Sequence, residues 1–217
     1  MKNLILSGGI FHPFDETSAS IARHLEAEGI SSRIAGVAEG FRLLGDEAFD
    51  LVTVNALSWS MTQADKYEPF RAAFAFDPPP DAREAMTRHL ERGGGLLGLH
   101  TAAICFDTWP EWPAMLGAGW VWGQSHHPAP GYVDVDTGTR QFRIWDELYC
   151  AMVLAPETAV LATATSADVE TAQPVMTASG RRVYLSLGHD LTATENAGYR
   201  DLLLRGARIA TGREQER

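Results

Sequence analysis

The chain runs to 217 residues, 45% of them hydrophobic, which is enough for one well-buried core and short for two. Lys+Arg 18 against Asp+Glu 28 gives a net charge of -10, and no stretch gathers cations on one face; this excludes a nucleic-acid or anionic-membrane footprint and favours a small neutral or cationic ligand. Cys105 and Cys150 are too few for a disulfide framework, the apolar opening is too short for a signal-peptide core, and no apolar run approaches the roughly 18 to 20 residues of a membrane span, so a soluble, cytoplasmic protein is expected.

Residues 4–6 read as a short buried strand, Gly8 and Gly9 as a turn, and the amphipathic stretch 17–28, closed by Gly29, as a helix. A second strand is expected at 32–37. A third follows at 51–57, LVTVNAL, rich in β-branched residues and preceded by a turn at 46–50. Residues 59–80 combine Tyr67, Phe70, Phe74 and Phe76 with Pro78-Pro79-Pro80 and are read as a loop with a helical turn. Asp81 is expected to cap a helix to about residue 91, Gly93-Gly94-Gly95 to end it, and 96–99 to form the fourth strand. Strands alternating with helices predict a parallel sheet with right-handed crossovers. Ligands of such sheets gather at the carboxyl ends of the strands, here 7–14, 55–60 and 100–103. After an irregular aromatic stretch at 109–130, shorter strands are expected at 133–136, 148–154, 160–163 and 182–187, some antiparallel because their connections are short. A closing helix at 196–210 completes a single domain over 1–212, and the polar tail 213–217 is expected to fray. There is no internal repeat or low-complexity segment.

The strongest functional signal is GGGLLGLHTAA, 93–103, where a glycine-flanked apolar run ends on His100. Small residues on both sides suit a tight strand-to-helix elbow, which forces the central side chain outward. His12, His127 and His189 also fall where predicted strands or their loops open on the same rim. A single histidine is more often structural than catalytic; several at strand ends point to a site. His24 and His89 sit inside predicted helices and are read as packing or surface residues. His189 follows Gly188 and precedes Asp190, which is read either as a partner for the imidazole or as the cap of the next turn. Asp146-Glu147-Leu148-Tyr149 sets two carboxylates before an apolar strand. Glu147 there suits polarising a hydroxyl or water, or else is a solvated turn residue. Of His126 and His127, neighbours that point apart in extended chain, His127 beside Pro128 is preferred for the cleft. Zinc needs three or four converging ligands, and no HExxH or paired CxxC brings these histidines together. Cys105, about one helical turn past the elbow, is read as a buried inert thiol. Trp109, Trp112, Trp120 and Trp122 suit either sugar faces or core and subunit contacts.

Taken in order, GGGLLGLHTAA, His127-Pro128, DELY (146–149), PVMTASGRRVYLSLGHD (174–190) and YRDLLLRGARIATG (199–212) resemble the trehalose-utilisation (ThuA-like) family. The resemblance covers most of the chain, and 59–80 matches poorly. It implies the flavodoxin-like, class I glutamine amidotransferase-like architecture: an α/β three-layer sandwich with a mainly parallel central sheet and additional antiparallel strands in the C-terminal half. In the amidotransferase relatives the elbow carries a cysteine nucleophile and a later strand ends in histidine. His100 occupies the elbow position and His189 looks like the later histidine, so glutamine hydrolysis is not expected. The resemblance further implies trehalose or related keto-sugar metabolism.

Two readings of function follow. In the first, an enzyme acts on a small-molecule carbohydrate. His100 and His189 serve as acid and base, Glu147 orients a hydroxyl or water, and His12, His127, Asp190, Trp122 and Tyr149 bind substrate. Proton transfer by imidazoles needs no cofactor; a divalent metal such as zinc, with His100, His127 and His189 as candidate ligands, is the variant. In the second, the fold is a non-catalytic module that binds a sugar or a partner. A homodimer is expected from the aromatic content alone.

Overall fold

Alternation along the first strand sets the layering. The structure, a computed structural model, describes residues 1–216. In β1 (Lys2–Gly9) Leu4 and Leu6 face one side and Ile5 the other, all three fully buried, so the strand is covered on both faces. One face packs on α1 (Phe14–Glu26) through Ile21 and Leu25. The other packs on α2 (Val37–Asp46) through Phe41 and Leu44. Between the helices run β2 (Ser31–Gly36) and β3 (Leu51–Leu57), each paired parallel with β1. A 3-10 turn at Asp65–Tyr67 and α3 (Glu68–Phe74) follow, then α4 (Pro80–Glu91) and β4 (Gly95–Leu99), parallel to β3.

The second half adds α5 (Trp112–Leu116) and β5 (Ala118–Gly119), then β6 (Gly131–Asp136), β7 (Gln141–Asp146), β8 (Val153–Leu154), β9 (Ala159–Ser166), β10 (Val169–Ser179) and β11 (Arg182–Leu185). The chain closes with α6 (Leu191–Thr194) and α7 (Ala197–Ala210), whose Asn196 cap accepts from Gly198 and Tyr199. Nine strands form one sheet in the order β2-β1-β3-β4-β11-β10-β9-β6-β7, and β5 pairs with β8 apart from it. The parallel half, β2-β1-β3-β4-β11, has the strand order of flavodoxin-like sheets, with helices on both faces. The remainder is antiparallel. No helix among the described residues is long and apolar enough to cross a membrane.

Several expectations are corrected. Residue 37 starts α2 rather than ending a strand: Val37, Phe41 and Leu44 repeat at helical spacing, and Gly40 lies where the helix backbone meets Leu6. Asp81 is not the cap of α4. Pro79 precedes the helix, Pro80 opens it, and the Asp81 carboxylate accepts from Ala82 N inside the first turn. Residues 148–154 are mostly loop, with Leu148, Tyr149 and Cys150 buried but only an isolated bridge from Cys150 to His126 before β8. β7 and β10 lie outside the expected strands. Pro174 lies inside β10 and is accommodated by a register shift against β9. In the tail, Glu214 pairs with Arg205 and Arg208, and Glu216 accepts from Gly180 N at 2.7 Å.

His89 illustrates a packing histidine. It is wholly buried on α4 with Nε2 2.8 Å from Gly95 O, and burial, reinforced by the charge of Arg92, holds its imidazole below the ordinary value. The unfolded chain therefore binds this proton more readily. The stability His89 contributes is present above the unfolded value, roughly pH 6.5, and is lost as pH falls below it towards the lower folded value. His89→Gln keeps an N–H for Gly95 and removes the titration. Urea unfolding between pH 7.5 and pH 5 should give a shallower pH slope for the variant, by no more than one proton, about 1.4 kcal/mol per pH unit. Equal slopes would show that His89 does not titrate on unfolding.

Candidate active site

β4 is glycine-rich because its surroundings are tight: a Cβ on Gly98 would run into Leu116. At its end His100 opens a 3-10 turn, His100–Ala103, with φ 44°, a left-handed backbone that costs a non-glycine residue about 1–2 kcal/mol. Surrounding bonds hold it there. The His100 carbonyl accepts from Tyr184 Oη at 2.7 Å, Thr101 Oγ1 donates to Ala56 O at 2.6 Å, and Trp112 Nε1 donates to Ala102 O at 2.9 Å. His100 Nδ1 lies 2.8 Å from Ser186 O, which directs Nε2 away from the sheet.

Three other strand ends converge on that nitrogen. β1 ends on Gly8 and Gly9, both at positive φ, and the loop after it brings His12 Nε2 to 3.2 Å from His100 Nε2. A side chain at Gly9 would collide with the Leu57 carbonyl. After β11, Gly188 at φ 114° turns the chain so that the His189 ring lies 4.7 Å from His12 and 5.6 Å from His100, centre to centre. From the antiparallel half, Glu147 follows β7. Its carboxylate stands 3.5 Å from His100 Nε2, 3.5 Å from His127 Nδ1 and 3.6 Å from His189 Nε2. Tyr149 Oη is 3.4 Å from His100 Nε2. Asp146, buried, fixes this corner: it accepts from Gly188 N at 2.7 Å, His189 N at 3.2 Å and Glu147 N at 2.8 Å.

The charges sort by environment. Burial, then the neighbouring His100 and His189, holds His12 down to about 3, so it is neutral in ordinary buffers. Burial pulls His100 the same way, but the Glu147 carboxylate and the Asp146 charge outweigh it and raise the imidazole. Glu147 is lowered: its burial is outweighed by His100, His127 and His189. Burial raises Asp146 and pushes the Tyr149 phenol well up.

His12, Glu147, His189, His127, Tyr149 and Trp122 border one cavity of about 420 Å3, with His100 buried directly behind. A larger depression of about 510 Å3 between α2 and α4 has no histidine in its lining. Asp190 does not border the cavity. It caps α6, accepting from Ala193 N at 3.0 Å, and stands 3.8 Å from His189 Nδ1. His126 is exposed and His24 packs by Ser20 and Thr194. Trp109 and Trp112 are core residues, whereas Trp120 and Trp122 reach the cavity. Cys105 donates to Ala56 O, and burial pushes its thiol up to about 12. Sequence reasoning missed the wall formed by Trp59, Lys66, Tyr67 and Phe70, all from the 59–80 segment, together with Phe11. Its one signal was aromatic density without helical or strand period.

Donor atoms of His12, Glu147 and His189 lie within 4.8 Å of one another, a two-histidine, one-carboxylate set of the kind that holds zinc or another divalent ion. His100 and His127 stand outside that set. In the His12 ring Nδ1 is directed at Ile10 O at 3.4 Å, so the nitrogen available to an ion is Nε2, which is held 3.2 Å from His100 Nε2.

Solved structures with this architecture include a ThuA-like protein from Parabacteroides merdae, 18% identical with a TM-score of 0.75, the match covering 100% of this chain and 92% of that one. Another, from Bacteroides uniformis, is 20% identical with a TM-score of 0.59, covering 97% and 91%. At these identities the likeness concerns the fold. No curated protein matches the sequence. The profile of the ThuA family, described as trehalose utilisation, matches residues 42–210, from α2 through α7, and the chain belongs to that family.

Proposed function

We propose that this chain is an enzyme of sugar metabolism, acting on trehalose-related or keto-sugar substrates, and that its chemistry is assisted by a divalent metal such as zinc on His12, Glu147 and His189. The observation that carries the reading is the convergence of those three donors, drawn from three distant segments, on one cavity walled by aromatic rings. A divalent ion there would supply Lewis acidity toward a carbonyl or hydroxyl oxygen. The chain's own groups do the rest. His100, with Nδ1 fixed on Ser186 O, presents Nε2 beside Tyr149 Oη and is the group to give or take a proton on a bound sugar. Trp120 and Trp122 offer ring faces to the substrate. Glutamine hydrolysis is not part of this reading, since the elbow carries an imidazole and the buried Cys105 thiol is held protonated. A cytoplasmic setting is in keeping with two buried, unpaired thiols.

Titrating metal-stripped protein with zinc should give about one ion per chain. Glu147→Gln and His189→Ala should each weaken binding at least about tenfold, whereas His126→Ala should leave it unchanged. Undiminished zinc binding in the Glu147→Gln, His189→Ala double variant would remove the metal from the proposal.

His100→Asn suits the left-handed backbone and should leave the thermal midpoint close to that of the parent. In calorimetry and turnover assays against a sugar panel with zinc present, it should lower the rate on an accepted sugar by about 100-fold or more. Full turnover by this variant would sink the acid–base role. Sugar affinity without turnover in the parent would point to a binding module.

A further inference from the structure

The end of β7 alternates between solvent and core, with Trp145 exposed and Ile144 and Asp146 buried. Asp146 therefore occupies a core position, where a carboxylate is costly unless its oxygens are paired. Packing alone would be served by an apolar residue. What the carboxylate holds accounts for its presence. Oδ1 accepts from Glu147 N at 2.8 Å and from His189 N at 3.2 Å, and Oδ2 accepts from Gly188 N at 2.7 Å. All three donors are main-chain groups, and two of them belong to members of the His12, Glu147, His189 set.

This bracket leaves the two side chains little freedom. Because one oxygen serves both Glu147 and His189, their backbones are held at a short, fixed separation although the residues are far apart in sequence. Gly188 is pinned from both sides. Its N–H is held by Asp146, and its α-carbon packs so closely on the buried Tyr199 that an added Cβ would stand 2.8 Å from Oη. Its φ of 114° suits glycine alone, so a shift of the chain there is resisted by packing and backbone together. From this base the Glu147 carboxylate reaches to 3.6 Å from His189 Nε2. Bonds of about 2.0–2.2 Å in a tetrahedral array place neighbouring zinc ligands roughly 3.3–3.5 Å apart, so the pair already stands close to a ligating separation. His12 is held independently, through Nδ1 beside Ile10 O. Asp146 does not border the cavity and touches nothing bound there; it acts through its neighbours.

We infer that Asp146 is a positioning residue of the metal site, which sets the separation of Glu147 and His189 before an ion arrives and so governs how tightly the ion is held. The inference rests on the metal reading above and adds the residue that pre-forms its ligand pair.

The test is zinc titration of the metal-stripped parent, Asp146→Asn and Asp146→Val, with cobalt(II) absorption recorded on the same samples. Asp146→Asn keeps the size of the side chain but turns an amide NH2 toward at least one of the backbone donors, and Asp146→Val leaves all three unpaired. Zinc affinity should fall about 10–100-fold in Asp146→Asn and further in Asp146→Val, and the cobalt bands should shift as the ligand geometry changes. Thr211→Val controls for a general loss of stability. Thr211 is buried at the end of α7, donates to Ala207 O at 2.7 Å and does not border the cavity, so its variant should lower the thermal midpoint while zinc affinity and cobalt spectrum stay as in the parent. A measurement on the parent needs no variant to fold: amide exchange at Glu147, Gly188 and His189 should be equally slow with and without zinc. Protection that develops only on adding zinc would overturn the inference, because the ion would then order the corner. Parent-like affinity and cobalt spectrum in the folded Asp146 variants, or an equal loss of affinity in Thr211→Val, would also overturn it and leave the metal reading standing. Failure of the parent to bind zinc would overturn the metal reading and this inference together.

Discussion

One buried carboxylate joins the two halves of the molecule. Asp146 ends β7, at the far edge of the antiparallel half, yet it accepts from the backbone of Gly188 and His189 beyond the parallel strand β11, and from Glu147 beside it. Three backbone donors offset part of the cost of burying a charge-bearing group. The consequence is geometric: Glu147 and His189, distant in sequence, are positioned from one fixed point. That tie sets the start of the loop after β7 against the parallel strand ends, where Glu147 and Tyr149 then meet His100.

The elbow supplies the second constraint. A left-handed histidine persists only where its surroundings over-determine it. Here Tyr184 holds the carbonyl, Ser186 holds the ring, and the absent side chain of Gly98 leaves room for Leu116. Packing alone would favour a residue without strain at this position. The strain, the burial of His100 against Glu147, and the depressed basicity of His12 occur within one small volume, the pattern expected where electrostatics are arranged for chemistry rather than for stability.

Much of this was legible in the sequence, for physical reasons that differ by region. Buried parallel strands such as LVTVNAL announce themselves as short β-branched runs, and β3 falls on the expected residues. Histidines at strand ends were readable because a parallel sheet collects its loops on one rim. α2 was hidden by two glycines, one of which exists to let the helix approach Leu6. β10 was hidden by Pro174, harmless because the ladder shifts register there. The role of Asp146 was unreadable, since its partners are backbone N–H groups some forty residues away, and nothing in local spacing reports them. The aromatic wall from 59–80 was visible only as composition.

The sheet order has a bearing on how the chain is made. β4 pairs on one side with β3, completed long before it, and on the other with β11, which ends at Leu185. Until the ribosome has delivered that late segment, an all-apolar strand presents an open hydrogen-bonding edge, the kind of surface that recruits foreign strands. The glycine-rich composition of β4, poor in intrinsic sheet-forming tendency, keeps that waiting edge a weak template for misassembly.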